Sequence, residues 1–275
     1  ESILNNSETK DTNSIEEIFR KKILTKSRDL QTNFIAMTYN VYNFRHLPWK
    51  IGQHKNNATA SFNKQMNFIS KINPDILVLQ EAVFSTSNVQ KNSFEKRLNN
   101  YFLGYSTYCD KKLNVVLAIK KDNINKCEFQ EDVFVKMNPF IYCIVITKNN
   151  IKIHIIGCHL NLDHAKRKYQ CEKLINKITE IGENNNIMIL GDFNITSNNS
   201  DIDELVSIHK FNVTKCNPGC PSGSVRGKCI DLIYTRGPDI DTEHDKHGTV
   251  YCAMYKNGKL EHSVYKKDLP CNSTY

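Results

Sequence analysis

Residues 141–160 read Ile-Tyr-Cys-Ile-Val-Ile-Thr-Lys-Asn-Asn-Ile-Lys-Ile-His-Ile-Ile-Gly-Cys-His-Leu. Two apolar β-type runs, Ile141 to Ile146 and Ile151 to Ile156, flank Asn149-Asn150, which has the chemistry of a hairpin turn. Just beyond, Asp163 can cap a helix whose Cys171, Leu174, Ile175, Ile178 and Ile181 share one face, with Gly182 as a stop signal. Ile187 to Leu190 then gives another strand. A hairpin followed by a single helix and a strand argues against a purely parallel sheet. The arrangement that fits is an α/β fold with two mixed sheets packed face to face and helices outside, a four-layer α/β sandwich.

The rest of the chain supplies the remaining strands. Upstream, Phe34 to Tyr39 is a short β-type run, followed by a polar loop through Pro48 and Gly52. Phe62, Met66, Phe68 and Ile69 mark a helix that ends before Asn73-Pro74. Asp75 to Leu79 is apolar on both faces and reads as a buried central strand, and Val115 to Ile119 is another strand. Downstream, Ile230 to Tyr234 and Val250 to Tyr255 are core strands, and Asn257-Gly258 turns the last of them into residues 259–266. Ile15, Ile18, Phe19 and Ile23 suggest one amphipathic helix ahead of all this. The expected organisation is a helical extension over residues 1–32, one catalytic-sized domain over 33–256, and a C-terminal hairpin and tail over 257–275.

Composition narrows the class. The chain has 275 residues with 40% hydrophobic, too many for wholesale disorder, and no apolar run approaching the roughly 18 residues of a membrane helix. Its 37 Lys and Arg against 29 Asp and Glu leave a net charge of +8, which permits a phosphate-rich partner without naming one. Runs such as Lys148-Asn149-Asn150 read as solvated surface. Of the ten cysteines, Cys143, Cys158 and Cys252 sit in apolar runs as small buried hydrophobes. Cys216, Cys220, Cys229 and Cys271 lie where disulfides could form; a zinc site would need more ligands than this loop offers. The cysteine count and the start at Glu1 lean toward a processed, secreted protein over a cytoplasmic or nuclear one.

Polar residues fall where apolar runs end. Tyr39-Asn40 closes the first run, Gln80-Glu81 the second, Cys158-His159 another and Gly191-Asp192-Phe193-Asn194 another. Asp231 stands within the run from Ile230, and His247 precedes the last core strand. Singly, each has an ordinary reading: Asn40 as a turn residue, Glu81 as a helix N-terminal charge, His159 as a structural histidine. Together they point to one rim of a sandwich, where sheets fix the backbone and loops leave room for a ligand.

The segments Met37–Asn40, Pro74–Glu81, Gly157–Leu160, Ile189–Asn194, Ile230–Ile233 and His247–Val250 resemble the motif series of the endonuclease/exonuclease/phosphatase superfamily, the DNase I-like fold. The resemblance runs from about residue 34 to 256, and Arg167 and Gln170 resemble the start of the family's helix after its His motif. It implies a divalent-metal phosphodiesterase using Mg²⁺, with Mn²⁺ as an alternative. Glu81 would be the principal metal ligand with Asn40 beside it, since hard oxygen donors suit Mg²⁺. His247 would orient or deprotonate the attacking water, its tautomer held by Asp231. Asp192 and Asn194 would align the nucleophile and grip a phosphate oxygen, and His159 would donate to a non-bridging oxygen or assist the leaving group.

One position departs from the pattern. Where the family's last motif reads Ser-Asp-His, this chain has Asp245-Lys246-His247. An ammonium at Lys246 would repel a nearby metal, and Asp245 or His244, one and two residues earlier, could take the missing role. Specificity is expected in the loops, where Arg45, Trp49 and Lys50, with Arg226 and Lys228, are candidate substrate contacts able to hold a backbone and stack on bases. The leading expectation is a monomeric nuclease acting on DNA or RNA. The alternatives are a phospholipid-directed phosphodiesterase or phosphatase of the sphingomyelinase or inositol-phosphatase type, working at an anionic lipid surface, and a non-catalytic member acting as a binding protein or effector.

Overall fold

A strand covered on both faces needs apolar residues at successive positions, whereas an edge strand does not. The computed structural model follows that division. It describes residues 35–40, 66, 69–70, 73–82, 100, 104–109, 115–130, 140–196, 199–215, 230–238, 241–243, 251–256 and 259–263. The expected helix over residues 1–32 lies outside them. Strands are β1 (Ile35–Asn40), β2 (Ile76–Gln80), β3 (Tyr105–Cys109), β4 (Val115–Lys120), β5 (Ile124–Gln130), β6 (Phe140–Thr147) and β7 (Lys152–His159). They continue as β8 (Asn186–Asp192), β9 (Asn212–Lys215), β10 (Asp231–Arg236), β11 (Asp241–Glu243), β12 (Tyr251–Lys256) and β13 (Lys259–Ser263). Helix α1 spans His164–Ile181 and the short α2 spans Glu204–Ser207.

The strands form two mixed sheets, as the hairpins and single helices require. One runs β11-β13-β12-β1-β2-β4-β3 and the other β5-β6-β7-β8-β10-β9. The pairs β1–β2 and β7–β8 are parallel, and β1–β12, β2–β4, β6–β7 and β8–β10 are antiparallel. The second arm of the C-terminal hairpin, β13, pairs with β12 and so extends the first sheet.

The inner faces meet in one core. Ala36, Ile76, Val78, Val115, Leu117 and Ile119 of the first sheet pack with Ile141, Cys143, Val145, Ile153, Ile155, Met188, Leu190 and Ile233 of the second. On the outer face of the second sheet, Cys171, Leu174 and Ile178 of α1 pack with Ile156, Cys158, Ile187 and Ile189. On the first sheet, the alternate positions Met37, Leu77, Leu79 and Val116 are also fully buried, as are the helical residues Met66 and Ile69. The architecture is the four-layer α/β sandwich.

Local chemistry sets the joints. Asn150 sits in the left-handed region (φ 61°), which asparagine tolerates, and its N–H donates to Thr147 O at 2.9 Å to close the β6–β7 hairpin. Asp163 Oδ1 accepts from Lys166 N at 3.0 Å and caps α1. Gly182 ends the helix with φ 89°, a conformation that costs glycine little. The parallel crossover β7–α1–β8 therefore brings the ends of β7 and β8 to the same edge.

Candidate active site

Side chains two residues apart on a strand share a face. On β1 the core residue Ala36 is followed on its own face by Thr38 and Asn40; on β2, Ile76 and Val78 lead to Gln80. On β7, Ile153 and Ile155 lead to His159; on β8, Met188 and Leu190 lead to Asp192; on β10, Asp231 precedes Ile233. Each inner stripe is apolar through the core and turns polar at the strand end. Register aligns those ends: Asn40 faces Gln80, His159 faces Asp192, and Asp192 faces Asp231. Five strands from two sheets thus deliver polar groups to one rim.

Asn40 joins the sheets there. Its Nδ2 donates to Asp192 Oδ2 at 2.8 Å and to Glu81 Oε1 at 3.2 Å. The other Asp192 oxygen, Oδ1, accepts from Asn194 N at 2.8 Å, so a carboxylate only 4% exposed is held by donors on both oxygens. His159 Nε2 lies 3.8 Å from Glu81 Oε1; these side chains are 14% and 25% exposed, open to an incoming ligand where Asp192 is not. Asn194 Nδ2 donates to Leu160 O at 2.7 Å, tying the turn after β8 to the segment after β7.

Backbone conformation marks the same place. Glu81 and Asn194 both have φ 51°. Asparagine visits this region readily, but a glutamate there costs on the order of 1–3 kcal/mol that the surrounding structure must hold. Gly191 serves a different end: a Cβ there would overlap the Cys158 carbonyl oxygen. Only glycine lets β7 and β8 approach closely enough to set His159 beside Asp192. Burial pushes the Cys158 thiol well up, with Asp192 and Asp231 adding to the effect, so this cysteine is packing and not a nucleophile.

Sequence reading gave no role to Gln80 or Thr38. Gln80 is fully buried, and its Nε2 donates to Thr38 Oγ1 at 2.8 Å directly beneath Asn40. The signal was available: Thr38 and Gln80 are polar positions on stripes otherwise apolar. Of the expected site residues, the structure brings together Asn40, Glu81, His159, Asp192, Asn194 and Asp231. His247, Lys246 and Asp245 lie outside the described residues, as do Arg45, Trp49, Lys50, Arg226 and Lys228 and the loop cysteines Cys216, Cys220 and Cys229. Among the described residues no three His, Cys, Asp or Glu side chains are grouped to hold one ion.

The profile of the Endonuclease/Exonuclease/phosphatase family matches residues 37–252, from β1 to β12. The chain belongs to this family. Its members are hydrolases that act on phosphoester bonds and generally use divalent metals. No curated protein matches the chain in sequence. Among solved structures, D. rerio TDP2 in complex with single-strand DNA product has a TM-score of 0.54 at 14% identity, covering 74% of this chain and 84% of that one. The human Nocturnin catalytic domain with bound sulfate has a TM-score of 0.54 at 15% identity, covering 82% and 88%. The Bacteroides thetaiotaomicron mannosyl-6-phosphatase has a TM-score of 0.50 at 17% identity, covering 74% and 86%. At these identities the likeness to each is one of fold.

Proposed function

We propose that this member of the family is a divalent-metal-dependent phosphodiesterase whose substrate is nucleic acid. The observation that carries the reading is the junction at Asn40, whose amide reaches Glu81 and Asp192 across the two sheets at the rim where His159 also stands. Glu81 and Asn40 offer a carboxylate and an amide, hard oxygen donors that fit Mg²⁺, and an ion that retains several waters needs few protein ligands. When bound, such an ion supplies neutralisation of phosphate charge and of the leaving oxygen.

The chain's own groups have distinct tasks in this account. His159 donates to a non-bridging phosphate oxygen, from a position where its ring is partly open and faces Glu81. Asp192 holds Asn40 in place, since Nδ2 of Asn40 is its partner at 2.8 Å. Asn194 steadies the backbone after His159 through Leu160 O. Asp231, paired in register with Asp192, serves as the orienting carboxylate for the base His247. A nucleic acid is favoured by the net charge of +8 and by the likeness of fold to D. rerio TDP2, which was solved with single-strand DNA product. Arg45, Trp49, Lys50, Arg226 and Lys228 are proposed to hold its backbone and bases.

The test is to incubate the protein with supercoiled plasmid, single-stranded RNA, sphingomyelin vesicles and a sugar phosphate, each with Mg²⁺ or with chelator. Mg²⁺-dependent cleavage of plasmid or RNA is the expected result. Hydrolysis of lipid or sugar phosphate alone would move the substrate assignment to those alternatives, and absence of any cleavage would favour a binding protein.

A further inference from the structure

The four residues between His159 and α1 form a short bridge, and the first turns of α1 spend two buried polar side chains on it. Arg167 is 9% exposed and Gln170 is 8% exposed, so each must find partners inside the protein or pay for burial. Both find them on the bridge backbone. Arg167 Nη1 donates to Asn161 O at 3.1 Å and to Leu162 O at 2.8 Å. Gln170 Oε1 accepts from Asn161 N at 2.8 Å.

Further bonds complete the set. Leu160 N donates to Asp192 O at 2.8 Å, and Leu160 O accepts from Asn194 Nδ2 at 2.7 Å. Asn161 Oδ1 accepts from Asp163 N at 2.8 Å. The bridge is thereby fixed on one side by the β8 end and on the other by α1, while the Leu162 side chain is 81% exposed and gives no packing of its own. Leu160 is anchored in the core at 1% exposure, and beyond it the segment takes its geometry from its hydrogen bonds. Its first residue follows the one histidine among the described rim residues.

We infer that Arg167 and Gln170 are positioning residues that set the ring of His159 by holding the backbone of residues 161 and 162, the segment that leads from Leu160 into the helix. The inference rests on the proposed role of the rim in phosphodiester hydrolysis for its kinetic consequence, but not for its structural one. Their side-chain bonds run to the backbone of Asn161 and Leu162, so their effect on His159 is transmitted through the bridge.

The side-chain chemistry dictates the variants. Arg167→Met removes both donors at similar length, while Arg167→Lys keeps a cation that can reach carbonyl oxygens. Gln170→Leu removes the acceptor, while Gln170→Glu keeps one. With histidine rings labelled by ¹³C, the His159 signal is assigned by its loss in His159→Gln. In metal-free protein, Arg167→Met and Gln170→Leu should shift or broaden that signal, and Arg167→Lys and Gln170→Glu should bring it back toward the wild-type position. Turnover of bis(p-nitrophenyl) phosphate with Mg²⁺ should then fall about tenfold or more in kcat for the disrupting variants, with KM little changed, because small misplacements of a reacting group are costly.

An unshifted His159 signal in folded Arg167→Met and Gln170→Leu would overturn the inference. So would equal losses in the disrupting and conservative variants. If Arg167→Met does not fold, the Gln170 pair decides. If the wild-type chain leaves bis(p-nitrophenyl) phosphate intact, the hydrolase reading fails on its own account, and the ring signal still decides whether Arg167 and Gln170 position His159.

Discussion

Asp192 shows how one side chain can join two sheets. Its two oxygens are occupied by Asn40 Nδ2 and Asn194 N, both at 2.8 Å, and it is nearly inaccessible. Asp192→Asn puts an amide where two donors already converge, so one contact must be lost or reversed. The expected outcome is a fall in kcat of about a hundredfold on a phosphodiester, read by steady-state kinetics, with a stability loss of about 1–3 kcal/mol in urea melts. A second prediction concerns His154, on the other face of β7. Burial lowers its pKa from 6.5 to about 4, with Lys152 and Lys177 adding repulsion. The folded protein therefore resists a proton that the unfolded chain accepts. Stability should fall by about 1.4 kcal/mol per pH unit as pH drops from about 6.5 toward about 4, and this contribution is flat above that window. Urea midpoints against pH for wild type and His154→Asn measure it; the variant should lack that part of the slope. At this scale the sequence was informative wherever a polar residue ended an apolar run, as at Asn40, Glu81, His159 and Asp192. Thr38 and Gln80 stand out as polar positions on apolar stripes, but their partner is each other across neighbouring strands, and that pairing is what no local pattern states.

At the scale of elements, legibility tracked burial. β2 is buried at every position and β8 likewise, and both stood out as apolar runs. The strands without such a run, β3, β5, β9 and β11, are additions to those expected. β3, β5 and β9 are edge or near-edge strands, and β5 is exposed or half-buried throughout its described positions. Its pattern is weak because only one neighbouring strand specifies it. It also carries Cys127, whose Sγ lies 3.1 Å from that of Cys143 on β6. The hydrogen bond between the two thiols lowers the Cys127 pKa and raises that of Cys143, and burial pushes Cys171 to about 12. Iodoacetamide should therefore modify Cys127 of the native protein before Cys143, Cys158 or Cys171, as peptide mass spectrometry would show. Prior labelling of the fully buried Cys158 would contradict this assignment. The helix α1 was legible from both ends, because Asp163 and Gly182 are chemically distinctive caps. Its buried polar residues Arg167 and Gln170 gave no signal of their bonds, since those run to backbone atoms outside the helix.

Across the whole molecule, function is assembled from parts distant in sequence. Asn40 and Asp192 are 152 residues apart yet share a hydrogen bond, because two sheets ending at one rim bring their inner stripes into register. The motif series makes the family and the sandwich readable from the residues alone, and the family profile over residues 37–252 agrees. The geometry adds a division of labour that the motifs leave open: Glu81 and His159 are partly exposed at the rim, while Asp192 and Asn194 hydrogen-bond the groups around them. The fold also accounts for the position of the proposed site. Elsewhere among the described residues the inner faces are mostly apolar and buried, and at this rim they turn polar and more open. The central claim is that the rim around Glu81 cleaves phosphodiesters with a divalent metal. Its most direct test is the initial rate of plasmid or RNA cleavage against Mg²⁺ concentration for wild type and Glu81→Gln. The account predicts saturable, chelator-sensitive cleavage by the wild type and a loss of about a hundredfold or more in the variant. Cleavage that survives chelator, or an undiminished rate in Glu81→Gln, would contradict it.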